Sequence, residues 1–364
     1  MSPEIFIPMY ILGSISTVYL LTRFHRFGKV KRIAKGNKPL SWIISAIPIL
    51  LLCGFLFINS STMMMVILHL TLFWIFTDIF ARTFNKIFKK QNKHYFAGLC
   101  AIVFTTVYLG VGWYNAHHVS RTEYTFYTSK DLGQDTLKIA LIADLHLGIT
   151  LDGEEFHQQM IRIEKEEPDL VVVAGDFVDD DTYKKDMLKA CEALNVTTRY
   201  GVYFIYGNHD KGYYKYRDFD SNELEAELRK NHVTLLQDET VLINNSFYVI
   251  GRQDKTQKDR ATAPNLTSGL DHSKYMIMID HQPNAYDEEA DSGADLVLSG
   301  HTHGGHIFPG AYLGEWFGMN DRSYGTEKRQ NTQFVVTSGI SGWGIPFKTG
   351  TFSEYVMINI KEDE

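Results

Sequence analysis

The 364 residues average 22% charged and 45% hydrophobic with a formal net charge of −7, but that average hides two unlike segments. Residues 1–118 hold twelve Lys/Arg against two acids and the remainder 24 against 41, so a +10 segment precedes a −17 one; compositions this different rarely share one core, and a boundary is expected between 115 and 135. The acidic remainder excludes a sequence-tolerant nucleic-acid binder, which needs a basic surface, and Cys53, Cys100 and Cys191 have neither metal-ligand spacing nor a disulfide framework.

From the amino terminus, four stretches run almost uncharged for a bilayer's thickness: residues 5–22, 40–58, 62–81 and 95–114. About twenty apolar residues in a helix span the hydrocarbon core, so residues 1–118 are expected to form a four-helix transmembrane region. A cleaved signal peptide would carry its positive charges before the apolar run, whereas Arg23, Arg26, Lys29, Lys31 and Arg32 follow it. The first loop holds seven Lys/Arg, the second (59–61) none, and the third holds Arg82, Lys86, Lys89, Lys90 and Lys93. Short loops rich in Lys/Arg stay in the cytoplasm, which puts loops one and three inside and the acidic domain outside. Within the spans, Asp78 is expected to pair with Arg82 one helical turn on, and His69 has no evident partner.

Residues 119–136 read as a linker with a first strand, and residues 137–364 as the soluble domain. There one device recurs: a short apolar run, the length of a strand buried on both faces, ends in residues able to bind a metal. Residues 137–143 end at Asp144 and His146, and 169–174 at Gly175-Asp176. Residues 201–206 end at Gly207-Asn208-His209-Asp210, 275–279 at Asp280-His281, and 295–299 at Gly300-His301-Thr302-His303. Helical stretches at 153–167, 183–194 and 221–231 alternate with the early strands, which predicts a layered α/β fold. Ligands in such sheets bind beyond the carboxyl ends of the strands, so the five ends are expected at one rim. Later strands at 241–243, 247–250, 334–337 and 355–360 suggest a second, partly antiparallel sheet packed on the first.

Oxygen and imidazole donors without thiolate suit Mn²⁺, Fe, Zn²⁺ or Mg²⁺-like ions. Asp144, His146, Asp176, Asn208, His281, His301 and His303 are too many for one ion with an open position and suffice for two divalent metal ions sharing a carboxylate. Two ions about 3.5–4 Å apart can generate a bridging hydroxide and clamp phosphate oxygens for in-line displacement. An acid beside an imidazole orients it, a role that fits Asp210 next to His209.

At this point the blocks Asp144-Leu-His146, Gly175-Asp-Phe-Val-Asp179, Gly207-Asn-His-Asp210, His281 and Gly300-His-Thr-His303 resemble those of the calcineurin-like metallophosphoesterase superfamily over roughly residues 121–360. The resemblance implies a four-layer αββα sandwich. It further implies that Asp144, His146 and His303 hold one metal, that Asn208, His281 and His301 hold the other, and that Asp176 bridges them. His209 would then stabilise the transition state or protonate the leaving oxygen. His301-Thr-His-Gly-Gly305, Ser338-Gly-Ile-Ser-Gly342 and Pro346-Phe-Lys348 are similar to a group of membrane-associated bacterial phosphodiesterases. That group commonly has Gln and Arg where this chain has His306 and Lys348, which puts its substrate contacts in question. His94, His117, His118, His157, His232 and His272 fall outside any repeated spacing and read as surface or packing residues, and Arg252 is a weaker candidate for a phosphate contact.

The expected function is a metal-dependent phosphohydrolase of the cell membrane, multi-pass, with its catalytic domain outside the cytoplasm. Its substrate would be a phosphodiester, a pyrophosphate or a lipid-linked phosphate, attacked in line by a metal-bridging hydroxide. The expected partners are that phosphoester and the bilayer, with no nucleic acid. The alternative is a membrane-bound metal-binding sensor or transport component without turnover, although no span shows the charged pathway a transporter needs.

Overall fold

The computed structural model describes residues 3–89, 95–212 and 217–363, with side chains from residue 8 onward. The loop cations Lys90 and Lys93, together with His94, lie outside these residues. The chain forms two compact units, Met1–Val111 and Gly112–Glu364.

The first unit is helical: α1 (Pro3–Phe24), α2 (Gly28–Ile33), α3 (Lys38–Leu52), α4 (Ser60–Ile87) and most of α5 (Phe96–His117). Three stretches among the described residues are long and apolar enough to cross a membrane: Lys38–Phe57, Ser60–Ile87 and Phe96–His117. The other expected span falls on α1, whose first side chains lie outside those described. Asparagine starts two of these helices. The Asn37 side chain accepts from Leu40 N at 3.1 Å, and Asn59 accepts from Thr62 N at 2.7 Å, each meeting one of the amides a helix start leaves without a partner.

Asp78 departs from expectation. Its carboxylate is 3.2 Å from Arg23 Nε and 3.3 Å from Arg26 NH1, and it accepts from Tyr95 Oη at 2.6 Å. The expected pair with Arg82 is therefore not the one formed, because Arg23 of α1 and Arg26 of the turn after it reach a buried carboxylate that otherwise would need neutralising. His69 Nδ1 lies 2.9 Å from Met65 O, and its ring stacks on Tyr108.

In the second unit, chain order runs β1 (Ser120–Thr128), β2 (Thr136–Ile142), α6 (Gly153–Glu164), β3 (Leu170–Ala174), α7 (Lys184–Ala193), β4 (Val202–Ile205), α8 (Ser221–Lys230) and β5 (Val233–Leu235). It continues through β6 (Glu239–Ile243), β7 (Phe247–Gly251), α9 (Ala263–Thr267), β8 (Tyr275–Ile279), α10 (Tyr286–Asp291) and β9 (Leu296–Ser299). The chain ends with α11 (Gly310–Trp316), β10 (Gly325–Arg329), β11 (Thr332–Val336) and β12 (Glu354–Glu362). One six-stranded sheet has the order β1-β12-β2-β3-β4-β5 and the other β10-β11-β9-β8-β7-β6.

Alternation along β2 explains the layering. Ile139 and Leu141 join a core with Val172, Ile277, Ile279 and Leu298, drawn from both sheets. Ala140 and Ile142 face the other way, into a core with Phe156 and Met160 of α6, Met187 of α7 and Leu224 of α8. Outside the second sheet, Met276, Met278 and Phe334 pack with Ala263 of α9 and Tyr286 of α10. Both faces of the central strands are thus buried, which is why they read as unbroken apolar runs.

Two expectations change here. Strand β12, expected in the second sheet, lies in the first, parallel to β1 and antiparallel to β2. The five strand ends do not share one sheet rim either: β2, β3 and β4 belong to the first sheet, and β8 and β9 to the second. A run of alternating or continuous apolar residues fixes which faces are buried but not which sheet supplies the neighbour.

Candidate metal centre

Three of the five strands that lead to the candidate donors, β2, β3 and β9, end in a backbone reversal. Asp144, His146, Asp176, His301 and His303 all have positive φ, between 37° and 70°. A residue with a Cβ pays about 1–2 kcal/mol in that region, so surrounding bonds must impose it. Those bonds are present. Asp144 N donates to Gly175 O and His146 N to Asp176 O, each at 3.0 Å. His301 N donates to both Asp144 carboxylate oxygens at 2.9 Å, and His209 N donates to Asp176 Oδ1 at 2.8 Å.

Asp210 braces the same reversals from beneath. It is fully buried and accepts from the amides of Asp176 (2.9 Å), Phe177 (2.8 Å), Val178 (3.0 Å) and Gly207 (2.7 Å). The expected contact of Asp210 with the His209 ring is replaced by this backbone role. The acid on that ring is Asp179, whose Oδ1 lies 3.0 Å from His209 Nδ1 while its Oδ2 lies 3.0 Å from His146 Nδ1.

The candidate donors converge in three groups, of which the first and third share His146: Asp144, His146 and His303; Asp176, His281 and His301; and His146, Asp179 and His209. His146 Nε2 is 3.1 Å from His303 Nε2, and His281 Nε2 is 3.3 Å from His301 Nδ1. Asp176 stands between the first two groups, its Oδ2 3.1 Å from His281 Nε2 and 3.5 Å from His146 Nε2. His281 Nδ1 donates to Ala174 O at 2.7 Å, which leaves Nε2 as the nitrogen facing the cluster. Asn208 is half-buried on the turn that Asp210 and Asp176 hold.

Burial sets the electrostatics. Desolvation raises Asp144 to about 6, against the pull of His281 and His146. Desolvation also opposes ionisation of Asp176, but His281, His146 and His209 overcome it and hold its carboxyl well below the ordinary range. Asp179 is likewise lowered despite its burial, by its bonds to His146 and His209. Burial works against a charge on His209 and His281, yet the adjacent carboxylates raise both. His301 is pushed down to about 4, first by burial and then by His281. Buried carboxylates facing imidazole nitrogens, with oxygen and nitrogen donors only, form a set that suits divalent cations; buried charge is otherwise costly.

Other expectations are corrected by contacts. Arg252 is buried in ion pairs with Asp280 (2.9 Å), Glu288 (2.7 Å) and Glu289 (3.2 Å), so it braces β7 against β8 and α10 and offers no free guanidinium to a phosphate. Lys348 is fully buried, its Nζ donating to Ser338 O (2.6 Å), Gly339 O (3.1 Å) and Phe352 O (3.4 Å); it ties a loop together rather than reaching substrate. Burial and the nearby Lys348 push His306 down to about 3, so its ring is neutral. Trp343, which carried no sequence signal, lies with its ring centroid 5.8–6.4 Å from the rings of His146, His209 and His303 and walls the site.

The family model described as calcineurin-like phosphoesterase matches residues 137–305. An uncharacterized metallophosphoesterase of Aquifex aeolicus is 30% identical over 266 residues, covering 71% of this chain and 98% of that protein. One from Campylobacter jejuni is 33% identical over 243 residues, 62% of this chain and 59% of its own length. A Danio rerio protein named a transmembrane protein with metallophosphoesterase domain is 29% identical over 245 residues, 62% of this chain and 53% of its own. The match thus spans only a little over half of the last two relatives.

Proposed function

Because this chain belongs to the calcineurin-like metallophosphoesterase family, we propose that it is a membrane-associated, metal-dependent phosphohydrolase whose donor cluster holds two divalent ions of the Mn, Fe or Zn type. The observation that carries this reading is Asp176 Oδ2, within 3.5 Å of imidazole nitrogens from both donor groups. Asp144, His146 and His303 would hold one ion, Asn208, His281 and His301 the other, and Asp176 would touch both. Bound there, the ions would supply a nucleophilic water at neutral pH and polarise the phosphoryl oxygens.

The remaining chemistry belongs to the chain's own groups. Asp179 accepts from Nδ1 of His146 and so presents His146 Nε2 as a lone pair to the cluster. The same carboxylate holds His209 by Nδ1 and, against the burial of the ring, favours its protonated form, in which Nε2 can donate to a leaving oxygen. Asp210 keeps the Asp176 and Gly207 turns in register. Trp343 lies along one side of the three histidines.

The same reading takes residues 1–118 as a region of four membrane helices, 119–136 as linker and first strand, and 137–364 as a four-layer αββα domain outside the cytoplasm. Lys/Arg in alternate loops support the orientation, and cores on both faces of both sheets support the layers. The substrate class is a phosphodiester, a pyrophosphate or a lipid-linked phosphate.

Full-length protein loaded with Mn²⁺ should hydrolyse a nitrophenyl phosphodiester. His209→Ala should lower turnover by about 10²–10⁴-fold while leaving bound metal unchanged. Metal-replete protein without turnover on any phosphoester would overturn the reading and favour a metal-binding sensor.

A further inference from the structure

Between β9 and β10 the chain carries an unusually apolar outer surface. Trp316 is 77% exposed and Phe317 75%, and Phe308, Tyr312 and Met319 are exposed beside them. The rings form one ridge: Phe308 to Tyr312 at 6.3 Å between centroids and Tyr312 to Trp316 at 6.1 Å. A soluble surface rarely collects aromatics in this way without a partner.

The opposite side of this segment is fixed to the metal-ligand loop. Glu315 turns inward to accept from Ser323 N at 2.8 Å, and Ser323 Oγ donates to Ala311 O at 3.0 Å. Thr302, between His301 and His303, donates to Ser323 O at 2.6 Å. Gly305 closes the junction, since a Cβ there would lie 2.1 Å from Ala311 N. The ridge is therefore hydrogen-bonded to the loop that carries His301 and His303.

A second set of contacts joins the ridge to the end of a helix long and apolar enough to cross a membrane. Residues 112–117, the last of α5, belong to the same compact unit as the donors. Lys348 N donates to Gly112 O and Ser353 N to Asn115 O, each at 2.8 Å. In the same turn Thr349 N and Gly350 N both donate to His306 O at 3.0 Å, and Phe308 N donates to Thr349 Oγ1 at 3.3 Å. Trp113 and Tyr114, exposed at the end of α5, add amphipathic rings of the kind that settle at headgroup depth.

We infer that residues 308–319 form an interfacial membrane-docking ridge that seats in the bilayer surface and holds the mouth of the metal centre against it. The partner is the apolar boundary of a zwitterionic bilayer rather than anionic headgroups. From Phe308 to Asn320 the only charged residue is Glu315, and its carboxylate is turned inward, so no cation is offered to a headgroup. The docking stands apart from the hydrolytic reading; delivery of a membrane-borne phosphoester to the donors rests on it.

The test is depth measured by nitroxide spin labels on full-length protein in phosphatidylcholine vesicles. The native cysteines are replaced, and one new cysteine is placed by Tyr312→Cys, Trp316→Cys or Phe317→Cys, with Asn222→Cys on α8 as the aqueous reference. Labels on the ridge should report a depth of about 5–10 Å below the headgroups, unchanged by salt. Water-like accessibility equal to that at residue 222 would overturn the inference, as would dipolar broadening between labels, which would make the ridge a contact between copies. In a second arm, the Trp316→Ser/Phe317→Ser variant should keep turnover of the soluble nitrophenyl ester and lose on the order of tenfold on a phosphate ester embedded in vesicles. Equal loss on both substrates would contradict docking. A wild-type protein inactive on both would sink the hydrolytic reading and leave the depth result standing.

Discussion

Asp179 shows how much one carboxylate decides at this site, because it holds His146 and His209 at the same 3.0 Å through its two oxygens. Asp179→Asn keeps the shape and removes the charge, so activity or metal affinity should fall by about 10–100-fold. The same change should lower the His209 pKa, which Asp179 now raises. If His209 acts as a proton donor, the alkaline limb of the rate–pH profile should then move to lower pH; an unmoved limb would remove His209 from that role.

Asp144 supplies a stability test on metal-free protein. Its folded value of about 6 lies above the unfolded value near 3.9, so its contribution is complete at low pH and is lost as pH rises through about 6. Asp144→Asn should therefore gain stability relative to wild type as pH rises from 4 to 7, in denaturant melts without metal. A constant difference across that range would contradict the burial argument.

The candidate donors that the structure brings together were legible as a set because residue type and strand end coincide in sequence. Asp179 was visible within its block but not in its role, since nothing in the spacing says which imidazoles it reaches. The burial of Lys348 and Arg252 escapes the sequence for the same reason: charge is legible there and burial is not.

At the scale of elements, the site depends on how closely the strand ends approach. The Gly207 turn after β4 lies so near the Asp176 turn after β3 that a Cβ on Gly207 would stand 2.2 Å from Asp176 Oδ1. The Asp176 side chain would have to shift out of the position it holds between His146 and His281. Gly207→Ala should therefore cut metal occupancy severely and lower the thermal midpoint, by metal analysis and calorimetry; unchanged occupancy would show that the turn has slack. The three helices between the early strands, α6, α7 and α8, were readable to within a few residues because charged faces alternate with apolar ones, whereas the short α9, α10 and α11 were not. The strands were readable as buried runs. Their division between two sheets was not, and β12 illustrates why: its apolar residues satisfy either core, and only the empty position between β1 and β2 selects one.

At the scale of the molecule, the charge split of the sequence and the two compact units fall within a few residues of one another, and both separate an apolar helical part from an acidic α/β part. Helices of this apolarity should keep the full chain in the membrane fraction through high salt and alkaline carbonate, with release only by detergent. Release by salt alone would contradict membrane insertion. Under the proposed function, candidate donors at the ends of strands in two different sheets would hold a pair of ions with Asp176 between them. Elemental analysis of purified full-length protein, compared with Asp176→Asn, tests it most directly. Two divalent ions per chain are expected in the wild type, with a clear loss in the variant. Protein that retains no metal, or a metal content that Asp176→Asn leaves untouched, would contradict it.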